Sequence, residues 1–354
     1  MITPGPDAKV YPIVKVAIVL DVLREEGVAV DLALAGTGIL ESDLASPRSR
    51  VSLRQVVECY RNIIRLTRNP QFAYHAGLRF HISAYGMYGF AVLSSTDFRQ
   101  TMRFIEQYHQ LATPLADVAF CEEHGQAIWR IAPMSHAAVD NALYRFLVEL
   151  QVGIFTTIHR DIMGPAFRPD EVHMTYGPPR DPRAFPAQIV FPALFDQPRN
   201  EFRFAAILLD EKAELGNQIT YASVVKLCDA LLEELELRAG LAGRVRHAFL
   251  VRGPKATHFD DIAADLGMSP RTLRRRLWEQ GTTFRDLTDE LRAEMAIKYL
   301  RETDLPVDDI AEAMGFSEPG NFRRAFRRWT KAAPRRFRDV RPRGRIARTR
   351  ASRP

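Results

Sequence analysis

At 354 residues, with 46% apolar and 26% charged side chains, the chain is long enough for two domains and too apolar to be disordered throughout. No apolar run approaches the length of a membrane span, and no basic segment with an apolar core and cleavage site opens the chain, so neither an anchor nor a signal peptide is expected. The net charge of +6 is divided unevenly: residues 241–354 carry 26 Lys/Arg against 15 Asp/Glu, and residues 1–240 carry 23 against 28. The basic part suits phosphate binding, and the acidic part needs another task. Cys59, Cys121 and Cys228 are scattered and odd in number, which fits a reducing cytoplasm and gives no metal or redox motif.

Residues 1–12, with Pro4, Gly5, Pro6 and Pro12, read as a loose arm. Ile13 to Glu26 has the pattern of an amphipathic helix stopped by Gly27, and Asp31 is placed to cap a short helix ending near Gly36. Gly36 and Gly38 lack the third glycine and the preceding strand of a nucleotide fingerprint. Ser52 and Gln55 form a capping box for a helix running to about Thr67. Phe72 to Phe80 reads as another helix, the segment Tyr85 to Phe90 leads into a short apolar one, and Asp97 to Gln110 reads as a longer one. Leu115–Cys121 and Gln126–Pro133 flank Glu123-His124-Gly125 and predict a β-hairpin. Ala137 to Met163 reads as a long apolar helix, and Val172–Tyr176, Ala187–Val190 and Glu201–Phe204 as strands between Pro-rich turns. Glu214 to Arg238 predicts a helix that either links two domains, pairs with a second subunit or simply packs. Gly240 and Gly243 are expected to loosen the chain, Arg244 to Val251 opens the next domain, and Thr257 with Asp260 gives a capping signal.

One short pattern then occurs twice. Ile262-Ala263, Gly267, Ser269, Leu273, Arg275 and Leu277 are matched by Ile310-Ala311, Gly315, Ser317, Phe322, Arg324 and Phe326, at an offset of 48 residues up to the serine and 49 after it. Each copy predicts helix, tight turn, helix, over about 258–280 and 306–330. The glycine ends the first helix where φ is positive, the serine is placed to cap the second, and Pro270 falls at a first helical position. Leu273 with Leu277, and Phe322 with Phe326, are i,i+4 pairs that pin each second helix to its own core. The free face of the first shows Arg271, Thr272, Arg274, Arg275 and Arg276, and that of the second Gly320, Asn321, Arg323, Arg324, Arg327 and Arg328. Arginine bonds guanine edges bidentately, asparagine reads adenine, and both hold phosphates, so two such helices in tandem predict binding to double-stranded DNA. A single arginine-rich helix would be no more than a solvated face. Phe284 to Arg301 reads as a stiff connecting helix with Phe284, Leu287, Leu291, Met295 and Tyr299 inward. Residues 341–354 hold six arginines and read as a disordered tail, either merely solvated or adding salt-sensitive affinity for DNA.

This stretch of about 80 residues resembles the AraC/XylS family of bacterial transcription regulators. The resemblance rests on both repeats, on Arg292, Ala296 and Leu300 in the connecting helix, on Ile310-Ala311 with Gly315-Phe316, and on Pro334 with Phe337-Arg338. It implies recognition helices in successive major grooves, with Arg271, Arg274 and Arg275 facing one and Gly320, Asn321, Arg323 and Arg324 the next. Two departures stand out: Lys331 occupies a position where glycine is usual, and Pro319-Gly320 replaces longer polar residues. Over residues 13–208 the chain is similar to the N-terminal domain of ornithine-utilisation-type regulators, on Tyr85-Gly86 with Gly89, Ser94-Ser95-Thr96 and the segment Phe191-Pro192 to Leu209. That resemblance implies an effector-sensing domain; limited β content and a helical N-terminus argue against a cupin-like barrel.

No G-x-S-x-G, P-loop, triad or metal-ligand spacing occurs; His75 and His81 are six apart, and Glu122-Glu123 reads as a solvated pair in a turn, so catalytic residues, metal and cofactor are all expected to be none. Aromatics dense between Tyr74 and Tyr108 suggest either plain core or an apolar effector pocket, with Arg79, His81, Tyr85, Tyr88 and His109 as its candidate residues. The expected fold is mixed: an α/β (α+β) sensing domain over 13–208, a linking or dimerisation helix over 209–240, and an all-α DNA-binding domain over 241–340 with two tandem helix-turn-helix units joined by a long helix. The expected function is a cytoplasmic, effector-controlled regulator, a homodimer and an activator in contact with RNA polymerase. An architectural DNA-binding protein is the alternative.

Overall fold

The computed structural model describes residues 4–112, 115–179 and 191–338. A short strand β1 (Tyr11–Pro12) precedes helices α1 (Val14–Glu25) and α2 (Val30–Leu34), then pairs antiparallel with β2 (Arg50–Val51). Ala29 rather than Asp31 is the N-cap of α2; Asp31 lies inside the first turn, where its charge still faces the helix N-terminus. The Ser52–Gln55 capping box forms as read: Ser52 Oγ accepts from Gln55 N at 3.2 Å and Gln55 Oε1 from Ser52 N at 3.1 Å, starting α3 (Leu53–Leu66). Helix α4 (Phe72–Gly77) is shorter than expected. Tyr85 to Phe90 does not precede the apolar helix but supplies its start, since α5 spans Gly86–Ser94. Asp97 caps α6 (Phe98–Tyr108).

The hairpin forms as β3 (Ala116–Glu123) and β4 (Gln126–Pro133), in register from Ala116–Pro133 to Glu123–Gln126. His124 and Gly125 turn it with φ of 52° and 78°, the two positive values that a tight two-residue hairpin turn requires. With β5 (Glu171–His173), β6 (Ala193–Leu194) and β7 (Asn200–Ala205), these strands make one open sheet in the order β3-β4-β7-β5-β6, antiparallel except for β5–β6. The strand expected at Ala187–Val190 lies outside the described residues.

Helix α7 (Asn141–Met163), capped by Asp140, is the spine of this half. Its Phe155 and His159 pack on Trp129, Phe202 and Phe204 of the sheet. On its other side it crosses α4 at two glycines. A Cβ on Gly77 would meet Leu150 O at 2.3 Å, and one on Gly153 would meet Tyr74 O at 2.4 Å, so the backbones touch only because neither position carries a side chain. The result is a mixed α/β layer structure in which the sheet stays open.

Helix α8 (Gln218–Arg252) begins later than expected and runs further, with Gly240 (φ 61°) as a kink. Before the kink, Val224, Cys228 and Leu235 belong to the large N-terminal core; after it, Leu241 and Val245 belong to the core of the first helix-turn-helix. Gly243 does not loosen the chain: it is buried inside the second segment.

The C-terminal region is all helical: α9 (Phe259–Asp265), α10 (Pro270–Glu279), α11 (Phe284–Glu302), α12 (Val307–Ala313), α13 (Pro319–Thr330) and α14 (Pro334–Arg338). Charged groups tie α11 to the second segment of α8 and, through Glu290 and Arg301, to the N-terminal half. Buried Arg246 donates to Glu290 Oε2 and Glu294 Oε2, each at 2.9 Å, and burial lifts the Glu294 carboxyl to about 7 against the lowering pull of Arg246. His136 Nε2 and Arg54 Nη2 approach the same Glu290 at 4.0 and 3.9 Å. Arg301 donates to Val139 O and lies over the Tyr144 ring at 4.9 Å. Among the described residues no helix is long and apolar enough to cross a membrane.

Candidate nucleic-acid interface

Both units end their first helix in the same way. Gly267 (φ 65°) donates to Ala264 O and Met268 N to Ala263 O, each at 2.9 Å; Gly315 (φ 83°) donates to Glu312 O at 2.9 Å and Phe316 N to Ala311 O at 3.0 Å. These paired bonds satisfy the last carbonyls and turn the chain sharply, which needs a residue free to take positive φ. The second helices start differently. Ser269 accepts from Thr272 N at 3.2 Å, with Pro270 at the first helical position. Ser317 is not a cap: Pro319 takes the first helical position, so the cap falls on Glu318, whose side chain makes no capping bond. The capping signal read at Thr257 and Asp260 also resolves otherwise. His258 is the N-cap of α9, and Thr257 Oγ1 donates to Gly253 O at 2.6 Å.

Leu273 and Leu277 are buried with Ile262, Ala263 and Leu287, while Phe322 and Phe326 are buried with Ile310, Met314, Ile297 and Leu300. Helix α11 joins the two cores, giving Leu287 to the first and Ala296, Ile297 and Leu300 to the second. Its 19 residues span about 28 Å.

The faces left over are cationic. Arg271, Arg274, Arg275 and Arg276 are exposed on α10, and Thr272 is half-buried with its hydroxyl 2.8 Å from Ser269 Oγ. Arg274 lies over the Phe259 ring at 5.2 Å, and Arg275 pairs with Glu279 at 3.0 Å. On α13, Gly320, Arg323, Arg324, Arg327 and Arg328 are exposed and Asn321 is half-buried. Arg323 pairs with Asp308 at 2.5 Å, Arg328 with Asp289 at 3.0 Å, and Arg324 Nη2 donates to Asn321 Oδ1 at 2.5 Å. The fold thus brings the predicted residues together as two sets, one on each second helix.

The residues singled out in the N-terminal half do not form one set. Arg79 is exposed and bonds both oxygens of Glu25 at 2.6 Å. His81 is exposed with Nδ1 3.0 Å from Asp161 Oδ1. Tyr85, Tyr88 and His109 do meet, on the wall of a cavity of about 40 Å³, together with Lys15 and Gln151. Lys15 was missed by sequence reasoning. The available signal was its spacing: with Val19, Val22 and Leu23 it falls at i, i+4, i+7 and i+8, on the face that α1 buries. Among the described residues no group of histidine, cysteine and acidic side chains is placed to hold a metal ion.

With this geometry in hand, the comparisons with known proteins identify the class. A family model described as the arabinose-binding domain of AraC transcription regulators, N-terminal, matches residues 27–213, and a helix-turn-helix domain model matches residues 262–339. The chain belongs to the AraC family and is a DNA-binding transcription regulator, not an enzyme. It is 29% identical over 336 residues to the ornithine utilization regulator of Pseudomonas aeruginosa, covering 94% of this chain and 97% of that one. It is 40% identical over 77 residues to the regulator VirS of Mycobacterium tuberculosis, 22% of this chain and 23% of that one. Its fold is similar to the crystal structure of the transcriptional regulator CdpR from Pseudomonas aeruginosa, with a TM-score of 0.50 at 19% identity over 92% of this chain and 98% of that one.

Proposed function

We propose that this regulator reads a bipartite DNA site under the control of a small-molecule effector bound in its N-terminal half. Arg271, Thr272, Arg274 and Arg275 enter one major groove; Gly320, Asn321, Arg323, Arg324 and Arg327 enter the next. The observation that carries the reading is α11: a single helix shared by both cores fixes one recognition helix relative to the other, while Glu290 and Glu294 on the same helix hold Arg246, and Glu290 also approaches His136 and Arg54 of the sensing half. A change in the sensing half therefore bears on the element that sets groove spacing. The effector acts only by its differential affinity for arrangements that bind DNA differently. We assign residues 13–208 to sensing, 209–240 to the link, and 241–340 to DNA. Tyr85, Tyr88 and His109, with Lys15, are the effector residues; Arg79 and His81 stand outside that cavity. Exposed Ile219, Leu227 and Leu231 on α8 form the contact of a homodimer. The protein acts in the cytoplasm as an activator touching RNA polymerase.

The test is selection of bound fragments from genomic DNA with purified protein, followed by titration of the best site at two salt concentrations. The expected site has two half-elements about 10 bp apart. Binding that is uniform across sequences with a steep salt slope would overturn the reading and favour an architectural protein.

A further inference from the structure

The cavity bearing Tyr85, Tyr88 and His109 holds an ionisable group that the fold leaves unexplained. Lys15 is only 5% exposed, yet its ammonium makes no hydrogen bond or ion pair among the described residues. A lone cation in an apolar interior is unfavourable, and burial pushes the Lys15 amine down to about 7. Packing alone would favour Leu or Met there, because the walls include Ile105, Ile154, Phe155 and Ile158. The other polar groups at the cavity are also open. Neither tyrosine hydroxyl nor the Gln151 amide has a hydrogen bond among the described residues, and His109 Nδ1 lies 3.1 Å from Glu106 O while its buried Nε2 has no partner. A second cavity of about 150 Å³ shares Tyr85 and Tyr88 and is bounded by Leu231, Leu235 and Arg238 of α8.

We infer that this is the anchoring end of the effector site, and that the effector is a small organic monocarboxylic acid whose carboxylate pairs with Lys15. The inference rests on the effector reading above and narrows its ligand. One ammonium with neutral hydroxyl and amide donors matches a single negative charge; a phosphate dianion would call for more cationic donors. The Ile and Phe walls suit an apolar body. That body extends past Tyr85 and Tyr88 toward α8, the helix that continues through Gly240 into the DNA-binding half. The row of rings Tyr88–Phe104–Tyr108, tilted and then stacked with centroids 5.3 and 4.6 Å apart, leads to the same helix, where Tyr108 donates to Asp229 Oδ1 at 2.5 Å.

The test uses the full chain with acetate and hexanoate against acetamide and hexanamide, at matched ionic strength, by thermal shift and calorimetry. Both acids are expected to raise the melting temperature, hexanoate at lower concentration, and the amides to leave it unchanged. Lys15→Met is expected to melt higher than the parent without ligand and to weaken hexanoate about 10- to 100-fold, the loss of one charge-assisted contact. Lys15→Arg, which keeps the charge, checks that the loss is not general damage. Acids that fail to bind the parent, or that bind Lys15→Met equally, overturn the carboxylate assignment. Amides binding as well as acids would overturn it too while leaving an effector site in place. Acid binding that depends on Lys15 but does not alter affinity for the selected DNA would keep the acid site and overturn effector control.

Discussion

The two helix-turn-helix units share one backbone plan and are stabilised differently. The first has strong local signals: Ser269 caps, Pro270 starts the helix, and Gly281 (φ 71°) follows its end. Its buried core is aliphatic, built on Ile262, Leu273, Leu277 and Leu287, with the ring pair Phe259–Phe284 only partly buried at its edge. The second lacks a capping side chain and ends on Lys331, held at φ 58°. It compensates with rings: Phe322 lies 5.6 Å from both Phe316 and Phe326, and Phe326 lies 5.4 Å from Phe337. Local propensity and tertiary packing are interchangeable means to one geometry, and the balance differs within a single domain.

The largest expected effect probes that balance. Phe326→Ala removes a fully buried ring that touches two others, and it should cost about 3–5 kcal/mol. Leu277→Ala, also buried, should cost about 2–4 kcal/mol. Denaturant unfolding of the two variants measures the difference. If Leu277→Ala is the more damaging, the second unit does not depend on its rings as argued.

A smaller effect separates the two recognition faces. On α10, Arg271 and Arg276 have no acidic partner among the described residues and Arg275 pairs only with Glu279 of its own helix, whereas on α13 Arg323 and Arg328 are tied to Asp308 and Asp289 on other helices. An arginine already paired must leave its partner to meet DNA, so the first unit should supply more of the base reading. Arg275→Ala is expected to cost about 1–3 kcal/mol at the selected site and less on random DNA. Arg323→Ala should cost less, and similarly on both. Fluorescence anisotropy on cognate and scrambled duplexes decides; a larger and more sequence-dependent loss for Arg323→Ala would reverse the assignment.

The same contrast explains how much was legible beforehand. The repeated Ile-Ala, Gly and Leu or Phe spacing announced both units because helix ends and i,i+4 contacts are written in neighbouring residues. Ser317 misled because a proline two residues on decides where the helix begins, which matters more than the presence of a hydroxyl. In the N-terminal half the hairpin and α7 were readable from period and turn residues, but the Gly77–Gly153 crossing joins positions 76 apart and left no local trace. Arg246 with Glu290 and Glu294 is likewise a long-range pairing. Lys15 lay in plain view at a buried helical position, but nothing in the sequence told which aromatic residues would surround it.

The smallest effect is the sharpest test of local against tertiary control. Lys331 is exposed and follows α13 in the left-handed region, where a Cβ crowds the following carbonyl at a cost of about 1–2 kcal/mol. Glycine removes that strain but adds freedom to the unfolded chain and gives up a cation near a helix C-terminus, each worth up to about 1 kcal/mol. The balance leaves Lys331→Gly more stable by about 0.5 kcal/mol. Lys331→Asn, which tolerates this conformation while also losing the charge, should fall between parent and glycine. The reciprocal change in the first unit, Gly281→Ala, should cost about 1 kcal/mol, since alanine there would take on the strain that Lys331 already bears. Melting temperatures at low and high salt separate the contributions, because salt screens the charge and leaves the backbone strain untouched. If Lys331→Gly melts lower than the parent at both salts, the left-handed lysine is not a weakness of the second unit, and its aromatic core cannot be read as compensation for one.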